Sequence, residues 1–289
     1  MQYIKRLLLT TFLSFSSLAS SLYNMFLAIL LATFLLSLQL NAEQKHLQLA
    51  IFPYLSPAQI IKHNKNLKIY LTKKLKRPIS LITARNIKVY INNIRKANYD
   101  LIYTPPHVGR MANVIAGYQP IALTKQRIQG YFIVKKNSTL KDLSQTKGMT
   151  ISMPSPMSII YQIAVNDFKN AGIIVGKDIK HISTKGHTNA IFELIKGKSD
   201  LALSGVSMWQ KLPQKYKSKL KIFELTTTTP GFIFMGNKNL DATLVARLKA
   251  LLLKFDTTDE GIDYVFKGYQ NVDDTIMRDL DQYTHDLIK

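Results

Sequence analysis

The residues with which this chain could do chemistry are six histidines, two pairs of adjacent carboxylates and scattered hydroxyls; cysteine is absent. His46, His63, His107, His181, His187 and His285 stand apart. No two lie three or four residues apart, the spacing that sets two imidazoles on one helix face for a metal. Asp259-Glu260 and Asp273-Asp274 fall near helix starts, where the helix dipole favours acids without any acid-base role. Gly197-Lys198-Ser199 ends like a phosphate-binding loop, but Phe192 stands where its first glycine belongs and the run follows a helix, not a strand. There is no Gly-x-Ser-x-Gly elbow and no His-Glu-x-x-His. Without cysteine there is no disulfide, thiolate nucleophile or thiolate zinc. No constellation here supports an enzyme, so the expectation is a protein that is not an enzyme, with no cofactor and no metal.

The elements that would position a binding site begin after a leader. Lys5 and Arg6 precede an uncharged stretch from residue 7 to Ala42, and Glu43 is the first acid. A positive start, an apolar run and a small residue before a polar boundary describe an export signal, with Ala42 its last residue. The run is longer than a usual signal core, so an uncleaved membrane anchor is the alternative. Either way the rest of the chain is expected on the far side of the membrane. Of the 289 residues, 46% are apolar and 20% charged, a globular composition. The net charge is +21. Export and the dispersal of the lysines argue against nucleic acid. The densest cluster, Lys62 to Arg77, sits on an expected helix and reads first as a solvated basic face, with anionic lipid or a membrane partner as the other readings.

Strands and helices alternate. Strands are expected over 47–52, 79–83, 99–103, 131–135, 148–153, 178–183, 200–204, 221–225 and 232–235. Helices are expected from Ser56-Pro57 to about Lys76, over 86–97, after Pro106 to about Ala116, as a short helix capped by Ser138 that includes Leu140 and Leu143, over 155–170 and over 188–196. The tail is read as helical, with Asp241 and Thr258 as start signals. Such βα alternation implies mostly parallel sheets flanked by helices. The connections at 122–130 and 226–231 fit neither pattern. They suit a chain that leaves one α/β lobe, builds a second and returns: 43–124 plus 230–289 as the first lobe, 125–229 as the second. Ligands of open α/β sheets bind beyond the carboxyl ends of the strands, which puts a site between the lobes.

Five collinear stretches carry a family resemblance: Ala50-Ile-Phe-Pro-Tyr-Leu-Ser-Pro57, Tyr99-Asp-Leu-Ile-Tyr-Thr-Pro-Pro106, Tyr131-Phe-Ile-Val-Lys-Lys-Asn-Ser138 with 140–148, Met153-Pro-Ser-Pro-Met-Ser158, and Gly186-His187 with Gly197-Lys-Ser-Asp200. Over most of the chain beyond the leader it resembles the phosphate/phosphite/phosphonate-binding periplasmic proteins of ABC transporters. That resemblance implies an α/β, two-lobed type 2 periplasmic binding protein, a Venus flytrap that closes on its ligand.

The family's oxyanion site resembles Ser-Thr-Ser at a helix N-terminus, where N–H groups, hydroxyls and the helix dipole hold the anion. The matching positions here are Pro156, Met157 and Ser158, a departure that removes one N–H and one hydroxyl. The N–H groups of Met157 and Ser158 and the hydroxyls of Ser155 and Ser158 are the donors that would remain. Plain helix capping by Ser155, with Pro156 at the first turn, is the structural alternative. The resemblance also implies ligand contacts at His187, at Thr188 (where aminophosphonate binders carry a Glu), at Asn86 and Thr104 (where they carry Tyr) and at Ser204. Tyr54 follows the first strand and is read as a cleft wall. Trp209, the sole tryptophan, is read as buried. The expected protein is a monomeric solute-binding subunit of an ABC importer whose partners are a small ligand and a permease. The alternative is a sensor of the same fold that signals to a membrane partner.

Overall fold

The computed structural model describes residues 25–27, 29–31, 46–255 and 268–288. The six described residues before position 46 are helical, and the targeting segment expected over 1–42 otherwise lies outside the described residues. Among the described residues no helix is long and apolar enough to cross a membrane. The compact unit His46–Lys289 holds every described strand and both hydrophobic clusters.

The first sheet has six strands in the order β11-β4-β10-β3-β1-β2. They are β1 (Leu47–Ile51), β2 (Ile79–Thr83), β3 (Leu101–Thr104), β4 (Gln119–Thr124), β10 (Ile233–Gly236) and β11 (Tyr269–Gln270). β1 pairs in parallel with β2, Leu47 opposite Ile79, and with β3, Leu49 opposite Leu101. β10 lies antiparallel between β3 and β4. β3 and β10 are buried at every position, as expected of strands covered on both faces. The second sheet has five strands in the order β7-β6-β8-β5-β9. They are β5 (Gly130–Lys135), β6 (Thr150–Pro154), β7 (Lys180–Thr184), β8 (Leu201–Gly205) and β9 (Leu220–Leu225). β6 is parallel to β7 and β8, while β5 is antiparallel to β8 and β9. The molecule is thus a two-lobed α/β fold. The parallel share is smaller than the βα alternation suggests, because in each sheet only three strands belong to the parallel ladder.

Helices connect the strands: α1 (Pro57–His63), α2 (Lys65–Leu75), α3 (Ile87–Arg95), α4 (Pro106–Ala116), α5 (Ile159–Asn170), α6 (His187–Ile195), α7 (Val206–Lys211), α8 (Gln214–Lys217), α9 (Ala242–Lys254), α10 (Asp274–Asp279) and α11 (His285–Ile288). Three of the expected helices differ, α7 and α8 have no counterpart among them, and β11 is a strand within the tail read as helical. The helix expected from Ser56 to Lys76 is divided at Asn64, whose side chain donates to the Ile60 carbonyl at 2.8 Å. The short helix expected from Ser138 through Leu140 is instead a 3-10 turn at Leu143–Thr146, started by Asp142, which accepts from the Ser144 N–H. α5 begins at Ile159 with Ser158 as its cap, not at Ser155. The start signal at Thr258 lies outside the described residues.

The chain passes between the lobes twice, and the two passages pair. Ile128 and Thr229 exchange backbone hydrogen bonds at 3.0 Å in both directions. Arg127 Nε donates to Thr228 Oγ1 at 3.0 Å, and the Gly130 N–H to Thr226 Oγ1 at 2.8 Å. Gly231 closes the return passage against the outgoing one. A Cβ there would stand 2.0 Å from Thr124 Oγ1 and 2.2 Å from the Gln126 carbonyl oxygen. Gly231→Ala must therefore push the two passages apart, a loss of about 1–3 kcal/mol read as a lower melting temperature. At Gly186, where the first atom met is 3.8 Å away, the Ala variant is expected to stay within about 0.5 kcal/mol of the parent.

Candidate functional site

The carboxyl ends of β1, β2 and β3 in one lobe, and of β6, β7 and β8 in the other, carry the residues singled out from the sequence. After β1 the chain tightens, with the Tyr54 N–H donating to the Phe52 carbonyl at 2.9 Å. The half-buried Tyr54 ring stands edge-on to Phe232, 5.5 Å between centroids. Phe232 also packs on Tyr103, which lies 6.3 Å from Tyr269. Burial drives the Tyr269 phenol far above its ordinary range, partly offset by its hydrogen bond to Tyr103. These four rings make an aromatic wall at the end of the first sheet. Asn86, after β2, is exposed and its side-chain oxygen caps α3 by accepting from the Val89 N–H at 2.9 Å. Thr104, the last residue of β3, is fully buried, with its hydroxyl beside that of Tyr90.

In the second lobe, Ser155 to Ser158 form a tight turn ahead of α5. Pro156 occupies the second place in the turn, which its fixed φ favours. The Ser158 N–H donates to the Ser155 carbonyl at 2.8 Å, and the Met157 N–H to Ser155 Oγ at 3.3 Å. Both N–H groups expected to serve an anion are thus engaged with Ser155. That corrects the donor set read from the sequence. The ladder of α5 opens where the Gln162 N–H meets the Ser158 carbonyl at 3.2 Å, which leaves the N–H groups of Ile159 and Ile160 ahead of it. Ser158 makes no side-chain cap bond, so its hydroxyl stands at the same helix end. Gln162 ties the turn down, its Nε2 donating to the Pro156 carbonyl at 2.7 Å.

His187 begins α6 and Thr188 follows it, both half-buried. The Gly205 N–H donates to His187 Nδ1 at 3.2 Å, which makes Nε2 the protonated nitrogen. Burial lowers the His187 pKa to about 4, so the ring is neutral at pH 7 and carries its one N–H at Nε2. Ser204, on β8, is fully buried and its hydroxyl has no partner among the described residues. Trp209 is half-buried, not buried, on the smaller hydrophobic cluster, with Lys217 Nζ 6.0 Å from its ring centre.

One residue escaped the sequence reading. His107, the second residue of α4, is fully buried, and its Nε2 lies 3.2 Å from the Met157 carbonyl. A carbonyl only accepts, so Nε2 carries the hydrogen and Nδ1 is a bare acceptor. Nδ1 is buried without a partner among the described residues. The bond fastens the first lobe to the turn that begins α5. A second tie is Asn166 Nδ2 to Gln282 Oε1 at 3.0 Å. Asp167 accepts from the Thr227 N–H and hydroxyl at 3.0 and 2.8 Å, anchoring α5 to the return passage. The only signal for His107 was its position after Pro105-Pro106 at a helix start.

The two sheets, their paired passages and the carboxyl ends of their parallel strands define the two-lobed type 2 periplasmic binding fold. Residues 49–276 match the family described as "ABC transporter, phosphonate, periplasmic substrate-binding protein". This chain belongs to that family and is a periplasmic substrate-binding protein of ABC transporters, not an enzyme. Solved structures share the fold. PhnD1 from Prochlorococcus marinus (MIT 9301), in complex with methylphosphonate, has a TM-score of 0.72 and 17% identity over 84% of this chain and 98% of that one. The binding protein component of an ABC phosphonate transporter from Pseudomonas aeruginosa has a TM-score of 0.67 and 14% identity, covering 83% and 85%. The aliphatic sulphonate binding protein SsuA from Escherichia coli has a TM-score of 0.57 and 13% identity, covering 72% and 70%. The sensor reading has no comparable support.

His107 sets a pH dependence. Its pKa is lowered from 6.5 to about 4 by burial, partly offset by the Met157 carbonyl. Above pH 6.5 the ring is neutral folded or unfolded and contributes no slope. Between about 6.5 and 4 the unfolded chain takes the proton first, so stability falls as pH falls, by up to about 3 kcal/mol. His107→Gln keeps an N–H for the carbonyl and removes the titration. Chemical unfolding across this window is expected to show a shallower pH slope than the parent, with the His187 share remaining.

Proposed function

We propose that this protein captures a small tetrahedral oxyanion of the phosphonate class between its lobes and hands it to an ABC permease, working as a monomer after loss of residues 1–42. The lobes in this reading are 43–124 plus 230–289 and 125–229. The observation that carries the ligand class is the start of α5. There the N–H groups of Ile159 and Ile160 and the hydroxyl of Ser158 lie together at the positive end of a helix, the arrangement that favours an anion. The reading adds donors from His187 Nε2, Thr188 and the hydroxyls of Ser155 and Ser204. Tyr54 walls the substituent on the anion, Met157 packs beside it, and Thr104 closes the first-lobe side. Asn86, occupied as a helix cap, is assigned the rim.

None of these contacts is acidic, so an amine on the ligand finds no counter-charge. Methylphosphonate, phosphite and phosphate are therefore expected to raise the melting temperature of residues 43–289 by several degrees at saturating concentration. Aminoethylphosphonate is expected to do less. Ser158→Ala removes a hydroxyl donor to a charged oxygen, and about tenfold weaker binding is expected. If no oxyanion shifts the melting temperature, the ligand class is wrong and the cleft serves an uncharged molecule.

A further inference from the structure

From residue 44 to residue 99 the chain holds twelve Lys or Arg and no acid. Much of that charge faces solvent along one side of the first lobe. α1 and α2 run nearly end to end, since the Asn64 N–H still reaches the Ile60 carbonyl and the Lys68 N–H the Asn64 carbonyl. Lys62, Lys65, Lys68, Lys73, Lys74 and Lys76 are all exposed. Among the described residues none of the six takes part in an ion pair. α9 lies alongside. Tyr70 of α2 donates its hydroxyl to the Leu251 carbonyl at 3.0 Å and packs 4.9 Å from Phe255, while the Arg247 guanidinium reaches the Lys74 carbonyl. α9 brings Arg247 and Lys254 to the same side, and among the described residues the acid at its start, Asp241, accepts from the Leu244 N–H as a helix cap.

The face is not purely charged. Ile61 and Ile69 stand among the lysines at 49% and 52% exposure, and Leu253 of α9 at 37%. Ile61, Lys65, Lys68, Ile69, Lys73 and Lys76 follow helical spacing along one side. Ile61 and Ile69 place aliphatic surface among the ammonium groups. A helix surface that mixes lysines with exposed large aliphatics suits the headgroup boundary of an anionic bilayer, where ammonium groups meet phosphates and the aliphatics enter the acyl edge. We propose that the α1–α2–α9 face of the first lobe docks on anionic phospholipid. The protein would then search for its permease along a membrane surface instead of through the full periplasmic volume. The docking surface lies on helices apart from the Ser155–Ser158 turn, so it does not depend on the ligand reading.

Residues 43–289, which include the whole compact unit from His46 on, are mixed with vesicles of phosphatidylcholine alone or with about one third phosphatidylglycerol, and binding is read by co-sedimentation. Binding is expected to the anionic vesicles only, and to fall steeply as salt is raised. Replacing Lys65, Lys68 and Lys73 by Glu is expected to weaken binding about a hundredfold, at about one kcal/mol or more per charge. The matched control replaces the exposed Lys211, Lys215 and Lys219 of the second lobe and is expected to change it little. Ile69→Ser is expected to weaken binding with the salt dependence unchanged.

An equal loss in the control would show diffuse attraction by the whole basic protein and overturn the assignment of this face. Asp256, Asp259, Glu260 and Asp263 follow α9 in the sequence. Should they neutralise the face, the parent protein would ignore anionic vesicles, and that result would overturn the proposal. Binding that appears only when a permease is present in the vesicle would overturn it in favour of a protein partner. A cooperative melt of each variant separates loss of the surface from loss of the fold.

Discussion

Two extended segments lying side by side between the lobes are the constraint on which everything else rests. Neither 125–129 nor 226–231 belongs to a sheet of its own. Each satisfies its backbone on the other, through Ile128 and Thr229, Gly130 and Thr226. Buried backbone groups must be paired, and this pairing satisfies the Ile128, Thr226 and Thr229 N–H groups where the chain runs between the two sheets. Gly231 allows the close approach, and Asp167 fixes α5 to the return passage. The start of α5 is therefore placed relative to the hinge by a carboxylate, and relative to the opposite lobe by His107.

That start is also where the chain is most economical with donors. Pro156 contributes no N–H, and Ser155 takes up the N–H groups of Met157 and Ser158. The helix consequently opens three residues later than its first serine suggests. The two N–H groups ahead of its first ladder bond belong to the buried Ile159 and Ile160, residue types that carry no hint of anion binding. In the proposed site it is backbone, through the first turn of the helix, that would meet the anion. His107 spends its one N–H on the Met157 carbonyl, so of the two neutral rings only His187 keeps an N–H that is not given to that turn.

The fold was legible because buried parallel strands write themselves as apolar runs: Leu47 to Phe52 and Tyr99 to Tyr103 needed no context. β4 was not legible. Its first residues, Gln119-Pro120, look like a loop, and Pro120 cannot donate to the ladder. The structure answers with a register shift in β10 between Phe234 and Met235, opposite Pro120. The start of α5 was misread for a related reason. Ser-Pro is a good helix start, but it is an equally good tight turn, and only the later hydrogen bonds decide. His107 was invisible because its role depends on a carbonyl fifty residues away in the sequence. Asn86 was read through a family position, whereas its local bond to Val89 already gives the side chain a task.

The account stands on an anion sitting at the first turn of α5. The most direct measurement is an amide proton–nitrogen correlation spectrum of residues 43–289 titrated with methylphosphonate. The account predicts that the Ile159 and Ile160 amide protons move downfield more than any others, with a smaller change at Ser158. Saturable binding that leaves those two amides in place, with the large shifts elsewhere, would contradict it.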